Sequence, residues 1–264
     1  MKLNISNEYN KLNTLLLAPV EEEYLEQQKE LTSILEKYNV KVYTSDKVKN
    51  AKYQMFIRDP FIVIDNKLII SYMKEDIRKL EIDSINKLLK DINKEDVIFL
   101  DDDVIIEGGD ILIHNDIIYV GQNGNRTNKK GLEYLKKVFG NKYKVIELKM
   151  INPSKYMDWV HLDCLFNILD DNTIIMYENG FEKSSIQLIE SSFPNIVYIN
   201  DKEQDELVAN IFNLGNKTVI MQKRHTRLIK KIKSLGFNIE LMDKYETIKE
   251  TGYIRCLTCP LERD

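Results

Sequence analysis

Cysteine and histidine are scarce in this chain, three of each among 264 residues, beside one tryptophan and five prolines. An odd cysteine count argues against a disulfide framework. A structural zinc site needs about four ligands, usually as two close pairs. Cys256 and Cys259 form one C-x2-C pair, but Cys164, His114, His161 and His225 supply no second pair of that kind, so no metal is expected. No run approaches the ~18 apolar residues of a membrane span, and the opening MKLNISNEYN has no signal-peptide pattern. A cytoplasmic protein without a membrane partner is expected. Positive charge is not in excess either: the net charge of −4 speaks against a nucleic-acid partner. No Pro-, Gly- or Ser-rich linker interrupts the chain, so residues 1–264 read as a single domain.

What is present is an apolar fraction of 43% and an ordered alternation of β-branched runs with amphipathic stretches. FIVI and KLIIS flank a DN turn and precede the helix-period segment DIRKLEIDSINKLLKDI and the strand VIFL. The same order, two strands, a helix and a strand, recurs in DILI, IIYV, TNKKGLEYLKKVF and KVIEL. A third copy runs CLFNIL, TIIMY, FEKSSIQLIESS, IVYI, and a fourth VANIFNL, KTVIM, TRLIKKIKSLG, FNIEL. A fifth is completed only by joining the chain ends: CLTCPL, NTLLLAP, EEEYLEQQKELTSILEKY, KVYT. Five ββαβ units that close head to tail predict a five-bladed α/β propeller, its ring closed by pairing of the N- and C-terminal strands.

In such a ring, the residue at the start of each first strand faces the axis. Those positions hold Asp59, Asp110, Asp163, Asn210 and Cys256, spaced by 51, 53, 47 and 46 residues. Unpaired buried carboxylates are costly, so an axis lined by acids implies a cationic ligand. Each repeat start also carries a motif: FIRDPF (56–61), IEGGD (106–110), WVHLD (159–163) and RCLTCPLER (255–263). Taken singly, each has an ordinary structural reading as turn, bulge or buried side chain.

As an ordered set these motifs resemble the guanidino-group modifying enzymes of the pentein fold, most closely the catalytic domain of arginine deiminase. The chain is also similar to dimethylarginine dimethylaminohydrolases, whose compact size it shares, and to amidinotransferases. The resemblance implies Cys256 as nucleophile, His161 as general acid and base, and Glu107 as the carboxylate working with it. It implies that Asp59 and Asp163 clamp the guanidinium, that Arg78 and Arg126 hold the substrate carboxylate, and that Phe56 packs on its aliphatic stem. The chain departs from the family in Tyr53, where an asparagine is usual, and in KETGYIRC, where Gly252 stands alone in place of a glycine-rich run.

The chemistry suits these residue types. A guanidinium is planar, permanently charged and fork-shaped, so two carboxylates can hold it and expose its carbon. A free cysteine, with a pKa of roughly 8.5, needs help to become a thiolate; Arg255, His161 and a cationic substrate would help, and Asp59 and Asp163 oppose. Cys164 and Cys259 read as packing residues. The activity implied is hydrolysis of arginine to citrulline and ammonia through a covalent thiouronium on Cys256, without metal or organic cofactor. Dimethylarginine hydrolysis, amidino transfer and a ring-shaped binding protein are the alternatives. A small guanidino compound is the expected partner, and self-association is possible.

Overall fold

The computed structural model describes residues 1–124, 126–151 and 161–264. In chain order its elements are β1 (Leu12–Leu17), α1 (Leu25–Lys37), β2 (Lys41–Thr44), β3 (Phe61–Ile64), β4 (Lys67–Ile70), β5 (Val97–Phe99), β6 (Ile111–His114), β7 (Ile117–Gln122), α2 (Lys129–Phe139) and β8 (Lys144–Lys149). They continue with β9 (Phe166–Asp170), β10 (Thr173–Met176), α3 (Lys183–Ser192), β11 (Asn195–Tyr198), α4 (Asp201–Asp205), β12 (Phe212–Gly215), β13 (Thr218–Gln222), α5 (Thr226–Ser234), β14 (Asn238–Met242) and β15 (Cys259–Arg263).

The strands form five three-stranded sheets, ordered β3-β4-β5, β6-β7-β8, β9-β10-β11, β12-β13-β14 and β15-β1-β2. In each, the first two strands are antiparallel and the third runs parallel to the second. The last sheet joins the chain ends as the sequence predicts, with Leu12 opposite Arg263 and Leu16 opposite Cys259. The sheets contact in sequence, β15 against β3, β6 against β9 and β1 against β12.

Burial explains why these runs fold as inner strands. β3 (FIVI), β10 (TIIM) and β13 (TVIMQ) are buried at every residue, as strands covered on both faces must be. The third strands β2 and β11 are exposed at both ends and lie at the sheet edges. Side-chain amides bond adjacent blades together: Asn167 donates to the carbonyls of Ala209 and Ile211 at 3.1 and 2.7 Å, and Asn213 to that of Leu169 at 2.7 Å.

One predicted element differs. The segment expected as a helix from DIRKLEIDSINKLLKDI is a series of tighter 3-10 turns over Asp76–Ile85 and Leu88–Asp91. A 3-10 turn brings residues three apart into line, which places buried Arg78 over buried Glu81. α4 (Asp201–Asp205) was not foreseen; Asn200 and Glu203 close it with a reciprocal capping box.

The ring closure depends on one buried cation. Arg263, 1% exposed, donates to the carbonyls of Asn10 at 2.6 Å and Asn213 at 2.7 Å. Arg263→Ala strands one buried and one half-buried carbonyl and is expected to cost roughly 2–5 kcal/mol of unfolding free energy. Urea unfolding checks it; a cost below about 0.5 kcal/mol, the range of surface substitutions, would contradict a closure held by this residue.

Candidate active site

All five axis positions are buried: Asp59, Asp110, Asp163, Asn210 and Cys256 are each less than 5% exposed. They do not share one task. Asp110 accepts backbone N–H groups from Leu162 and Thr127, both at 3.1 Å, and so joins two blades rather than waiting for a cation. Its pKa is pushed up to about 6 by burial. Asn210 accepts from the backbone N–H of Arg255 at 3.0 Å and of Cys256 at 3.3 Å, and its amide N–H donates to the Cys256 sulfur at 3.2 Å. The thiol is thereby fixed from the neighbouring blade.

A cavity of about 460 Å³ opens over Cys256. Of the residues expected in the site, Phe56, Asp59, Arg78, Arg126 and His161 line it with Cys256. Glu107 lies just behind, fully buried, its Oε2 2.8 Å from His161 Nε2 and its Oε1 accepting the Lys74 N–H at 2.9 Å. On the other edge of the imidazole, Nδ1 is 3.5 Å from Asp59 Oδ1. Burial works against a charged histidine, but Asp59, the Glu107 bond and Asp110 outweigh it and raise the His161 pKa to about 10. Burial likewise works against a charged Asp59, and His161 and Arg78 outweigh it, so its pKa lies below the usual range. The site therefore holds an imidazolium between two carboxylates. Asp59 Oδ1 is buried and makes no direct hydrogen bond; the imidazole edge at 3.5 Å is its charged neighbour.

Two glycines make this packing possible. A methyl group on Gly109, the second glycine of IEGGD, would stand 2.6 Å from the His161 ring and 2.9 Å from Asp59 Oδ1. One on Gly252 would stand 2.3 Å from the Phe56 ring, so the single glycine left in KETGYIRC is the one that the aromatic wall requires.

Arg78 enters the wall but is not a free carboxylate receptor. Its Nε and Nη2 bond Glu81 at 2.7–3.1 Å, Nη1 bonds Asp59 at 2.7 Å, and Nη2 bonds the Phe56 carbonyl at 3.1 Å. Four of its five N–H donors are thus engaged within the protein. Asp163 does not line the cavity. Its carboxylate and the sulfurs of Cys164 and Cys256 lie within 4.8 Å of one another, and burial, stronger than the opposing pull of Arg255, raises its pKa to about 6. Arg255, expected to favour the thiolate, is held by Glu8 at 2.7 Å and lies 3.2 Å from Asp163. Cys164 is more than a packing residue, since its thiol joins that cluster. Cys259 instead points its sulfur at the Phe61 carbonyl, 3.3 Å away, and takes no part. Trp159 and Val160 of the WVHLD motif, and Asn125 beside Arg126, lie outside the described residues.

Sequence reasoning missed Glu75, Ile77, Lys249, Glu250 and Thr251, which complete the wall. Thr251 adopts a left-handed backbone (φ 63°), unusual for a β-branched residue. Glu75 receives Arg126 Nη1 at 2.9 Å. Their only sequence signal is nearness to YMKEDIRKLE and KETGYIRC.

Residues 3–263 match the family described as N,N dimethylarginine dimethylhydrolase, eukaryotic. The uncharacterized protein YkgA of Bacillus subtilis (strain 168) is 29% identical over 240 residues, covering 90% of this chain and 80% of its own length. The arginine deiminase of Streptococcus gordonii (strain Challis) is 27% identical over 254 residues, covering 79% of this chain and 60% of its own. Among solved structures, the product-bound N-terminal domain of ArgZ, a cyanobacterial arginine dihydrolase, superposes with a TM-score of 0.84 at 20% identity, covering 96% of this chain and 98% of that domain. The fold is therefore the five-repeat pentein arrangement.

The charge on His161 has a thermodynamic signature. Its folded pKa, about 10, lies above the ordinary 6.5, so its contribution to stability is complete below about pH 6.5 and is lost as pH rises through about 10. Between about pH 7 and about pH 11 the wild type is expected to lose more unfolding free energy than His161→Gln does. Equal losses in urea titrations would show that the imidazole is not charged in the folded chain.

Proposed function

The chain belongs to the N,N dimethylarginine dimethylhydrolase family, and from that membership we propose that it hydrolyses the guanidinium of an Nω-methylated arginine, giving citrulline and the methylated amine. The observation that carries the chemistry is one cavity lined by Cys256, the charged His161 and Asp59. A thiol, an acid and a carboxylate serve attack, leaving-group protonation and guanidinium binding in turn.

The steps follow from those positions. As the cationic substrate docks, the Cys256 thiol releases its proton to water; the thiolate attacks the guanidinium carbon, and the C–N bond to the leaving nitrogen breaks as His161 delivers its proton to that nitrogen. Neutral His161 then takes a proton from water, the hydroxide adds to the thiouronium carbon, and the C–S bond breaks as the hydroxyl proton passes to the departing sulfur, leaving a neutral ureido group and the thiol. Glu107 and Asp59 stabilise the imidazolium at both ends of the cycle. The amide of Asn210 bonds the sulfur throughout.

The methyl groups are favoured by the arrangement of acids. An unsubstituted arginine head has five N–H donors to satisfy; the N,N-dimethylated head has three. Only Asp59 of the expected pair faces the cavity, while Phe56, Tyr53 and Ile77 give it apolar wall. Fewer donors and more apolar surface fit that lining. Unmethylated arginine, the substrate that the sequence motifs suggest first, is the second reading, favoured by the likeness to arginine deiminase.

Turnover of dimethylarginine and of arginine, followed by citrulline together with dimethylamine or ammonia, tests both. Cys256→Ser is expected to lower kcat by more than a thousandfold with folding and substrate binding kept, and Cys259→Ser to keep most activity. Asp59→Asn should cost on the order of 2–5 kcal/mol in kcat/KM. Equal loss in the two cysteine variants, or normal kinetics in Asp59→Asn, contradicts the mechanism; ammonia released faster than dimethylamine selects the second reading.

A further inference from the structure

The wall of the cavity holds a second charged pair that the chemistry above does not use. Arg126 Nη1 donates to Glu75 Oε1 at 2.9 Å, and Arg126 Nε lies 3.6 Å from Glu107 Oε2, the carboxylate that holds His161. Arg126 is 19% exposed in its side chain and Glu75 is 49% exposed, so the pair runs from the buried acid outward to solvent. Glu75 is fixed from below: its carbonyl accepts the Arg78 N–H at 2.9 Å, on the turn whose side chain holds Asp59.

We infer that Glu75 is a specificity-determining residue that receives the α-ammonium of an amino-acid substrate, beside Arg126, to which the family resemblance already gives the α-carboxylate. An α-amino acid carries its two opposite charges on adjoining atoms of one carbon. A receptor for both ends therefore needs a cation and an anion side by side, and Arg126 and Glu75 are in direct contact within the cavity that holds Cys256. Docked head to head, the four charges alternate, and each is bonded to an opposite one. The other charged groups of the wall fit this role less well. Arg78 has committed four of its five donors, Lys249 is drawn to Glu23, and Glu250 accepts the Tyr24 hydroxyl at 3.1 Å. What Glu75 adds to the amino-acid reading is discrimination against a guanidino acid that lacks the amine. An exposed ion pair contributes little to folding, so removing the charge of Glu75 is felt in binding more than in stability.

The inference rests on the reading that the cavity takes an arginine-type guanidinium, and the test separates the two. N,N-dimethyl-L-arginine and arginine are compared with their deamino analogues, which keep the guanidinium and the carboxylate. In Glu75→Gln, KM for the amino acids is expected to rise about tenfold with kcat kept, while the deamino compounds change less than twofold; Glu75→Asp should recover part of the loss. In parallel, calorimetry measures binding of the same compounds to Cys256→Ser and to Cys256→Ser with Glu75→Gln, where the same selective loss is expected. An unchanged ratio, or equal loss for both compound types, overturns the role of Glu75. If the wild type turns over no guanidino compound yet binding keeps the selective loss, the hydrolytic reading falls and the head-group assignment stands.

Discussion

The site is organised by one ladder of alternating charge. Glu81 holds Arg78, Arg78 holds Asp59, Asp59 faces His161, His161 bonds Glu107, and Glu107 approaches Arg126, which bonds Glu75. Every step is 3.6 Å or less. Most of the ladder is buried, where an unpaired ion costs several kcal/mol, so removing any inner member leaves its neighbour uncompensated. With His161 protonated the ladder carries four formal negative charges and three positive ones. A guanidinium is the unit positive charge that such a ladder lacks, and Asp59 is the inner acid of the ladder that lines the cavity.

The ladder also explains which duties could be assigned from sequence. Asp59 is marked by its repeat position and His161 by the HLD motif and the resemblance it carries, and both line the cavity. Arg78 is in the right place with a different duty, since Glu81 lies three residues on and only the tight 3-10 spacing, not the helix that the periodicity suggests, brings the two into line. Glu75 carried no periodic or motif signal; what marks it is its contact with Arg126, 51 residues away in the chain. The blades themselves were legible because fully buried strands show as continuous apolar runs bounded by turns, five times over. The N-to-C closure was legible because one repeat was otherwise incomplete.

Cys164 shows the opposite case. By sequence it is a small apolar residue after HLD, read like Cys259 as packing and lacking even the C-x2-C spacing that Cys259 has. In the fold it sits against Asp163 and Cys256, while Cys259 faces a carbonyl of β3. The pairing that the sequence offers, C-x2-C, is not the thiol pair that the fold makes. Residues on β15 diverge from the axis as the strand leaves it, whereas turns of different blades converge there.

That convergence is what the fivefold arrangement provides. The same strand-start position is filled by an acid facing the cavity in Asp59, a blade-joining acid in Asp110, an acid beneath the thiol in Asp163, an amide bonded to sulfur in Asn210, and the thiol itself in Cys256. Backbone symmetry fixes where these side chains begin, and their differing partners decide what each does. Arg58, Arg255 and Arg263, with Glu8, are buried as well, and their pKa shifts register one another's charge. Their bonds go to Glu8, to backbone carbonyls and to Thr258. The interior is thus divided between a closing set, rich in arginine and internally bonded, and a reacting set rich in acid. Arg255 and Asp163, 3.2 Å apart, are the contact between them, so the residue next to the nucleophile in sequence is also the link from chemistry to ring closure.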